Sequence, residues 1–185
     1  ICLGPDYEYT FVEANGEYYL MAKDLAKETM AAAGIEEYTF HGSFTGKELE
    51  FVETAHPFLD RKSIVIVGDH VTLESGTGCV HTAPGHGQED FEVCVKYDCF
   101  DIIVPVDDKG VLNELAGQFA GLKTDDANKA IAQCLEDSGN LFALKKIVHQ
   151  YPHCWRCHEP IIYRATEQWF CSVDGFKEDA INAVE

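Results

Sequence analysis

Gly76-Thr77-Gly78-Cys79-Val80-His81-Thr82-Ala83-Pro84-Gly85-His86-Gly87-Gln88-Glu89-Asp90-Phe91 is the stretch on which the reading of this chain turns. Residues 77–82 have the composition of a short strand, Pro84-Gly85-His86-Gly87 breaks it, and residues 88–97 are amphipathic, with Phe91, Val93, Cys94 and Tyr97 available to a core. Strand, loop and helix in that order predict a mixed α/β fold, in which a ligand usually binds beyond the strand's carboxyl end. His81 closes the strand. Asp90 falls in the first turn of the helix, where the helix dipole favours an ionised carboxylate. The two therefore face one pocket, and an ionised Asp there suits a ligand ammonium group. Spacing alone leaves a second reading equally open, with Asp90 supporting the helix start and His81 a hydrogen-bonded core histidine.

Outward from this stretch, Ser63-Ile64-Val65-Ile66-Val67 is a continuous, mostly β-branched run ending at Gly68-Asp69, which predicts a strand buried on both faces. Residues 7–13 alternate at strand period, Asn15-Gly16 makes a turn and residues 18–21 return, predicting a β-hairpin. A helix is expected over 23–33 with Gly34 at its C-cap, and another over 124–135 with Thr124 as N-cap and two acids in its first turn. Residues 38–40, 49–52 and 101–106 read as further strands. Residues 141–150 extend outward, and from Tyr151 the composition shifts to His, Cys, Trp and Arg. A boundary is expected there, with a main domain over 1–150 and an appendage over 151–185.

The 32 acidic and 14 basic side chains give a net charge of −18, which repels a phosphate backbone and excludes a broad nucleic-acid footprint. A nucleic-acid partner must dock locally, through a terminal nucleotide or two held in a pocket. No apolar run approaches the ~20 residues of a membrane-spanning helix and the N-terminus is not signal-like, so no membrane partner and a cytosolic location are expected. The eight cysteines are irregularly spaced in a chain long enough to build a core, and predict reduced, mostly buried thiols rather than a disulfide framework.

Two resemblances to other chemistry fail on inspection. Gly42-Ser43-Phe44-Thr45-Gly46-Lys47-Glu48 is one residue short of a P-loop between its glycines and has Glu where the Mg²⁺-binding hydroxyl belongs, so it reads as strand and turn. Cys79 shares a strand face with His81, but nothing supplies the orienting partner a thiol nucleophile needs. A second signal is Tyr151-Pro152-His153-Cys154-Trp155-Arg156-Cys157-His158-Glu159-Pro160. Cys154 and Cys157 are half of a zinc site. A second Cys pair or nearby histidines must complete the tetrahedron, and a redox dithiol or inert thiols are the other readings.

The block from Gly76 to Tyr97 closely resembles the signature of the editing domain in class I isoleucyl-tRNA synthetases, the insertion called connective peptide 1. The valyl and leucyl relatives share the Gly-Thr-Gly opening and an Asp at the position of Asp90, but usually lack His at that of His81. The resemblance covers nearly all of residues 1–185 and implies a β-barrel-like editing domain with surrounding helices. It implies hydrolysis of mischarged Val-tRNA(Ile), with the 3′ end of tRNA(Ile) carrying valine and the remaining synthetase domains as partners.

Under this resemblance His81 and Asp90 are the catalytic-site pair, His81 against the bound aminoacyl-adenosine and Asp90 on the amino acid's ammonium, with Thr82 and Gly78 joining them in substrate binding. His86 has no transferable role and reads as a loop residue. The segment 151–185 looks like the chain returning toward the catalytic core, where its Cys pair commonly meets a second pair from before the insertion. That second pair is absent here, as is the Thr-rich wall expected just before residue 1, so the editing domain is expected to be N-terminally incomplete. ATP and Mg belong to the full-length ligase and are not expected to bind here, since no His-x-Gly-His or Lys-Met-Ser-Lys-Ser signature is present. The alternatives are a non-catalytic zinc-binding docking module and the editing domain of a valyl- or leucyl-tRNA synthetase.

Overall fold

A computed structural model describes residues 1–97 and 101–184. In chain order its elements are β1 (Cys2–Leu3), β2 (Glu8–Ala14), β3 (Glu17–Ala22), α1 (Lys23–Ala32), β4 (Thr39–Thr45), β5 (Glu53–Ala55), β6 (Lys62–Ile64), β7 (Ile66–Val67), β8 (Cys79–Val80), α2 (Gln88–Tyr97), α3 (Thr124–Asp137) and α4 (Lys177–Asn182). Short 3-10 turns occupy Gly46–Leu49 and Glu114–Phe119.

The expected hairpin is present. β2 and β3 pair in register from Tyr9 opposite Ala22 to Ala14 opposite Glu17, and Asn15 and Gly16 both take the positive φ that a tight two-residue turn requires. β2 is the middle strand of a β3-β2-β4 sheet, with α1 packed on it through Val12, Ala14, Met21, Ala26 and Met30. A second, mixed sheet has the order β7-β1-β8, with β1 parallel to β7 and antiparallel to β8. Cys2, Ile66 and Val71 meet α2 at Val93 and Cys94 on one side of it, while Leu3 and Val65 pack with Tyr9, Ala22 and Leu25 on the other.

Several expectations are corrected. The described strands form three separate sheets of three, three and two strands, none of them closed on itself, so the barrel-like form is not seen. The 63–67 run is two strands. Val65 N donates to Val52 O and Val65 O accepts from Phe51 N, so the chain leaves β5 after Ile64 and joins β1 at Ile66. Residues 49–52 are a turn instead of a strand, with Phe51 at φ 67. Of 101–106 only Val106 pairs, in an isolated bridge to Leu112. Thr124 opens α3 from inside, and the N-cap position belongs to Lys123, which has no side-chain cap. The expectation of mostly buried thiols is corrected too: of the described cysteines only Cys2 and Cys94 are buried, Cys79, Cys134 and Cys154 are half-buried, and Cys157 and Cys171 are exposed; Cys99 lies outside the described residues.

Candidate functional site

The Gly76-Thr77-Gly78 turn is what ties the two larger sheets together. Three consecutive carbonyls are taken from the hairpin side: Gly76 O by Thr29 Oγ1 at 2.6 Å, Thr77 O by Ala22 N at 2.7 Å, and Gly78 O by the Tyr9 hydroxyl at 2.8 Å. Tyr9 also accepts the Gly4 amide at 2.9 Å, so one buried phenol joins β2, the segment after β1 and this turn. Gly78 has φ +73, and a Cβ there would lie 2.6 Å from Ala22 Cβ. Both conditions demand glycine. The structure therefore places Gly78, expected at the ligand, in the core behind the site.

β8 leaves this anchor and delivers His81 to the wall of a cavity of about 480 Å³, the size of a small-molecule site. His81, Thr82 and His86 line it on one side and His56 and Arg61 on another, with Phe58, Leu112 and Phe119 supplying apolar surface. His81 is partly open to solvent on the concave wall, and its ring makes no hydrogen bond to the described residues. It is not a core histidine. Burial holds its pKa below the ordinary value, the amino group of Ile1 pushes the same way and Asp90 opposes, so at neutral pH the imidazole is uncharged.

Asp90 does not line the cavity directly. Its Oδ2 accepts the Ala83 amide at 3.0 Å, closing the loop from α2 back to the strand end, and a side chain at Gly87 would meet that carboxylate at 2.7 Å. The loop is otherwise closed by the His86 and Gly87 amides on Ala83 O. Asp90 thus shapes the surface carrying His81 and is near enough to act on it electrostatically, while its Oδ1 has no hydrogen-bond partner among the described residues.

The C-terminal segment supplies contacts that sequence reading missed. Ala165 N donates to Gly85 O at 2.8 Å, and His86 Nδ1 donates to Tyr163 O at 2.8 Å, while the buried Nε2 of His86 has no hydrogen-bond partner among the described residues. No periodicity or spacing signals a contact across 77 residues. His56 and Arg61 were missed as well, being single polar residues in a turn. Cys79 is excluded as a nucleophile: its thiol points to Leu20 O, and burial pushes its pKa up to about 11.

Residues 12–136 match the family described as "Leucyl-tRNA synthetase, editing domain". This chain belongs to the synthetase editing-domain family. Its curated relatives include the isoleucine–tRNA ligases of Caldicellulosiruptor bescii and Caldicellulosiruptor saccharolyticus, each 55% identical over 185 residues, and that of Natranaerobius thermophilus, 52% identical over 186. Each alignment spans all of this chain and 20% of the relative, so the chain spans about a fifth of the length of those proteins. A solved structure described as "The crystal structure of GlLeuRS-CP1" superposes with a TM-score of 0.59 at 17% identity, covering 82% of this chain and 78% of that one, a likeness of fold.

Beyond the matched residues, Cys154 and Cys157 sit in a tight turn. His158 N donates to Cys154 O, Cys154 N to Glu159 O, and His153 pairs with Pro160. Backbone amides of Cys157 and Arg156 on the Cys154 sulfur hold its pKa below the ordinary thiol value. Two sulfurs in such a turn fit one half of a tetrahedral site. Among the described residues, however, no group of three or more His, Cys, Asp or Glu is placed to hold a metal ion, and the His153 ring is engaged with His158 O. Among the described residues the Cys pair therefore stands without a completing set of ligands.

Proposed function

We propose that this chain is the deacylating unit of an isoleucine–tRNA ligase and hydrolyses the ester of valine mischarged onto tRNA(Ile). The observation that carries the reading is an uncharged, unbonded His81 opening onto a cavity of about 480 Å³, with the Asp90 carboxylate immediately behind the same loop. Isoleucine exceeds valine by one methylene, too small a difference for one hydrophobic pocket to separate well. The isoleucine enzyme is the standard illustration of that limit. A second sieve that admits only the smaller acyl group removes the error.

In the reaction, water oxygen bonds to the ester carbonyl carbon, the bond to the terminal ribose oxygen breaks, and the water proton passes to that oxygen. His81 hydrogen-bonds the ribose or adenosine, Thr82 borders the same wall, and Asp90 Oδ1 receives the α-ammonium once the substrate reaches the loop. Positioning, more than proton transfer from a strong base, is the contribution of these residues.

The partners under this reading are the 3′ end of valine-bearing tRNA(Ile) and the remaining domains of the ligase, in the cytoplasm. Residues 1–150 form the editing unit and 151–185 the return toward the catalytic core, where Cys154 and Cys157 await ligands from outside this chain if zinc is held.

Release of valine from Val-tRNA(Ile), with Ile-tRNA(Ile) as control, tests the reading in the 185-residue chain and in the polypeptide that contains it. Asp90→Asn keeps an acceptor for the Ala83 amide but removes the charge, and is expected to lower kcat/KM about a hundredfold while leaving thermal stability unchanged. Unchanged deacylation by Asp90→Asn and Asp90→Ala would sink the ammonium role. Faster release of threonine than of valine would favour a valyl-type enzyme.

A further inference from the structure

A charge of −18 leaves a nucleic-acid partner only a local foothold, and the turn of residues 56–61 supplies one. His56 N donates to Arg61 O at 3.0 Å and Arg61 N to Leu59 O at 2.8 Å, which pins both ends of the turn. Inside it, His56 Nδ1 accepts the amides of Phe58 at 3.3 Å and Leu59 at 3.1 Å. A ring nitrogen that accepts carries no proton, so the hydrogen sits on Nε2 and the ring is a neutral donor. Phe58 packs edge-on against both the His56 ring, at 4.6 Å, and Phe119, at 5.3 Å, bracing the turn on the apolar wall.

Arg61 lines the same cavity and forms no ion pair with the described residues, whereas its neighbour Lys62 is held by Glu53. Asp101 is the one carboxylate among the described residues lining the cavity, and it is not paired with Arg61. Arg61, His56 and His81 all line this one cavity, and the charge of Arg61 acts on both rings. An unpaired cation beside a fixed neutral donor, on an aromatic wall, in a protein with more than twice as many acids as bases, is a combination suited to one ligand class.

We propose that this turn is the phosphate-binding corner for the terminal nucleotide of the ester substrate, with Arg61 forked onto the non-bridging oxygens, His56 Nε2–H as a second donor, and Phe58 and Phe119 walling the base. The assignment rests on the deacylation reading for its substrate, because an aminoacyl ester on the ribose and the phosphate of the same nucleotide then reach His81 and Arg61 together. Arg is the side chain whose planar fork matches phosphate.

The test is calorimetric titration of the chain with adenosine 5′-monophosphate and with adenosine at low salt. The monophosphate is expected to bind about tenfold tighter, as one or two charge-assisted hydrogen bonds provide, and added salt should narrow the gap. Arg61→Met should abolish the preference with adenosine affinity unchanged, and Arg61→Lys should restore part of it. Equal affinities in the parent chain, a preference that survives Arg61→Met, or binding of neither compound would each overturn the proposal. Valine release that fails while the phosphate preference stands would remove the deacylation reading and leave the nucleotide corner in place.

Discussion

At the residue scale the decisive group is His81, because its surroundings fix what it can be at working pH. Burial in the concave wall lowers its pKa, as it lowers that of His56, which Arg61 and His81 depress further. In the unfolded chain both rings titrate near 6.5. As pH falls through that value the unfolded chain takes up protons that the folded chain does not, so stability present at neutral pH is lost on acidification. Valine release is accordingly expected to be flat from about pH 8 to pH 6.5 and to decline only at lower pH, with a midpoint under the model-peptide value. A rate profile whose acid limb lies above pH 7, or one unchanged by His81→Asn, would show that the neutral imidazole is not what the reaction uses. The same group shows why the site was half legible in sequence. Spacing put His81 at the end of a strand over 77–82 and Asp90 in a first turn; Asp90 is there, while the strand is only Cys79–Val80 and His81 follows it. That Asp90 spends one oxygen on the Ala83 amide depends on loop closure, which spacing does not report.

At the element scale, local signals were read correctly where the element is stabilised locally. The Asn15-Gly16 hairpin, α1, α2 and α3 all occur within a residue or two of their expected bounds, since turn chemistry and helical periodicity lie in the sequence itself. The failures are at 49–52, 63–67 and 101–106, where apolar runs had the composition of strands but the partners decide. Val65 is the clearest case, for the chain changes sheets there to satisfy Phe51 and Val52. The anchor on the Gly76-Thr77-Gly78 turn belongs to this scale too. Tyr9→Phe keeps the ring in place but strands the Gly4 amide and the Gly78 carbonyl, both previously bonded to one buried hydroxyl. A loss of about 1–3 kcal/mol is expected in urea unfolding, with the midpoint lowered and the slope preserved. A loss in deacylation beyond the unfolded fraction would show that the anchor also holds the register of His81; no change in stability would mean that water replaces the hydroxyl.

At the scale of the whole molecule the balance is between an acidic body and a C-terminal segment rich in exposed apolar surface. Trp169 and Phe170 are almost fully exposed, and the contacts at Tyr163 and Ala165 hold this segment to the Gly85-His86 turn. Among the described residues, ion pairing by Lys and Arg is confined to three contacts between partly or largely exposed groups, Lys23–Glu8, Lys62–Glu53 and Lys145–Glu28, and such pairs contribute little. Repulsion among 32 acids therefore outweighs attraction. Salt screens exposed charges beyond about 10 Å at 0.1 M, so raising sodium chloride should raise the melting temperature by a few degrees, the reverse of what a fold held by surface ion pairs would do. The same screening weakens a cation on phosphate. Differential scanning calorimetry and nucleotide titration across one salt series should thus move in opposite directions, the melting temperature up and the monophosphate preference down. A melting temperature that falls with salt would mean that local pairing, not net repulsion, dominates the electrostatics of this fold.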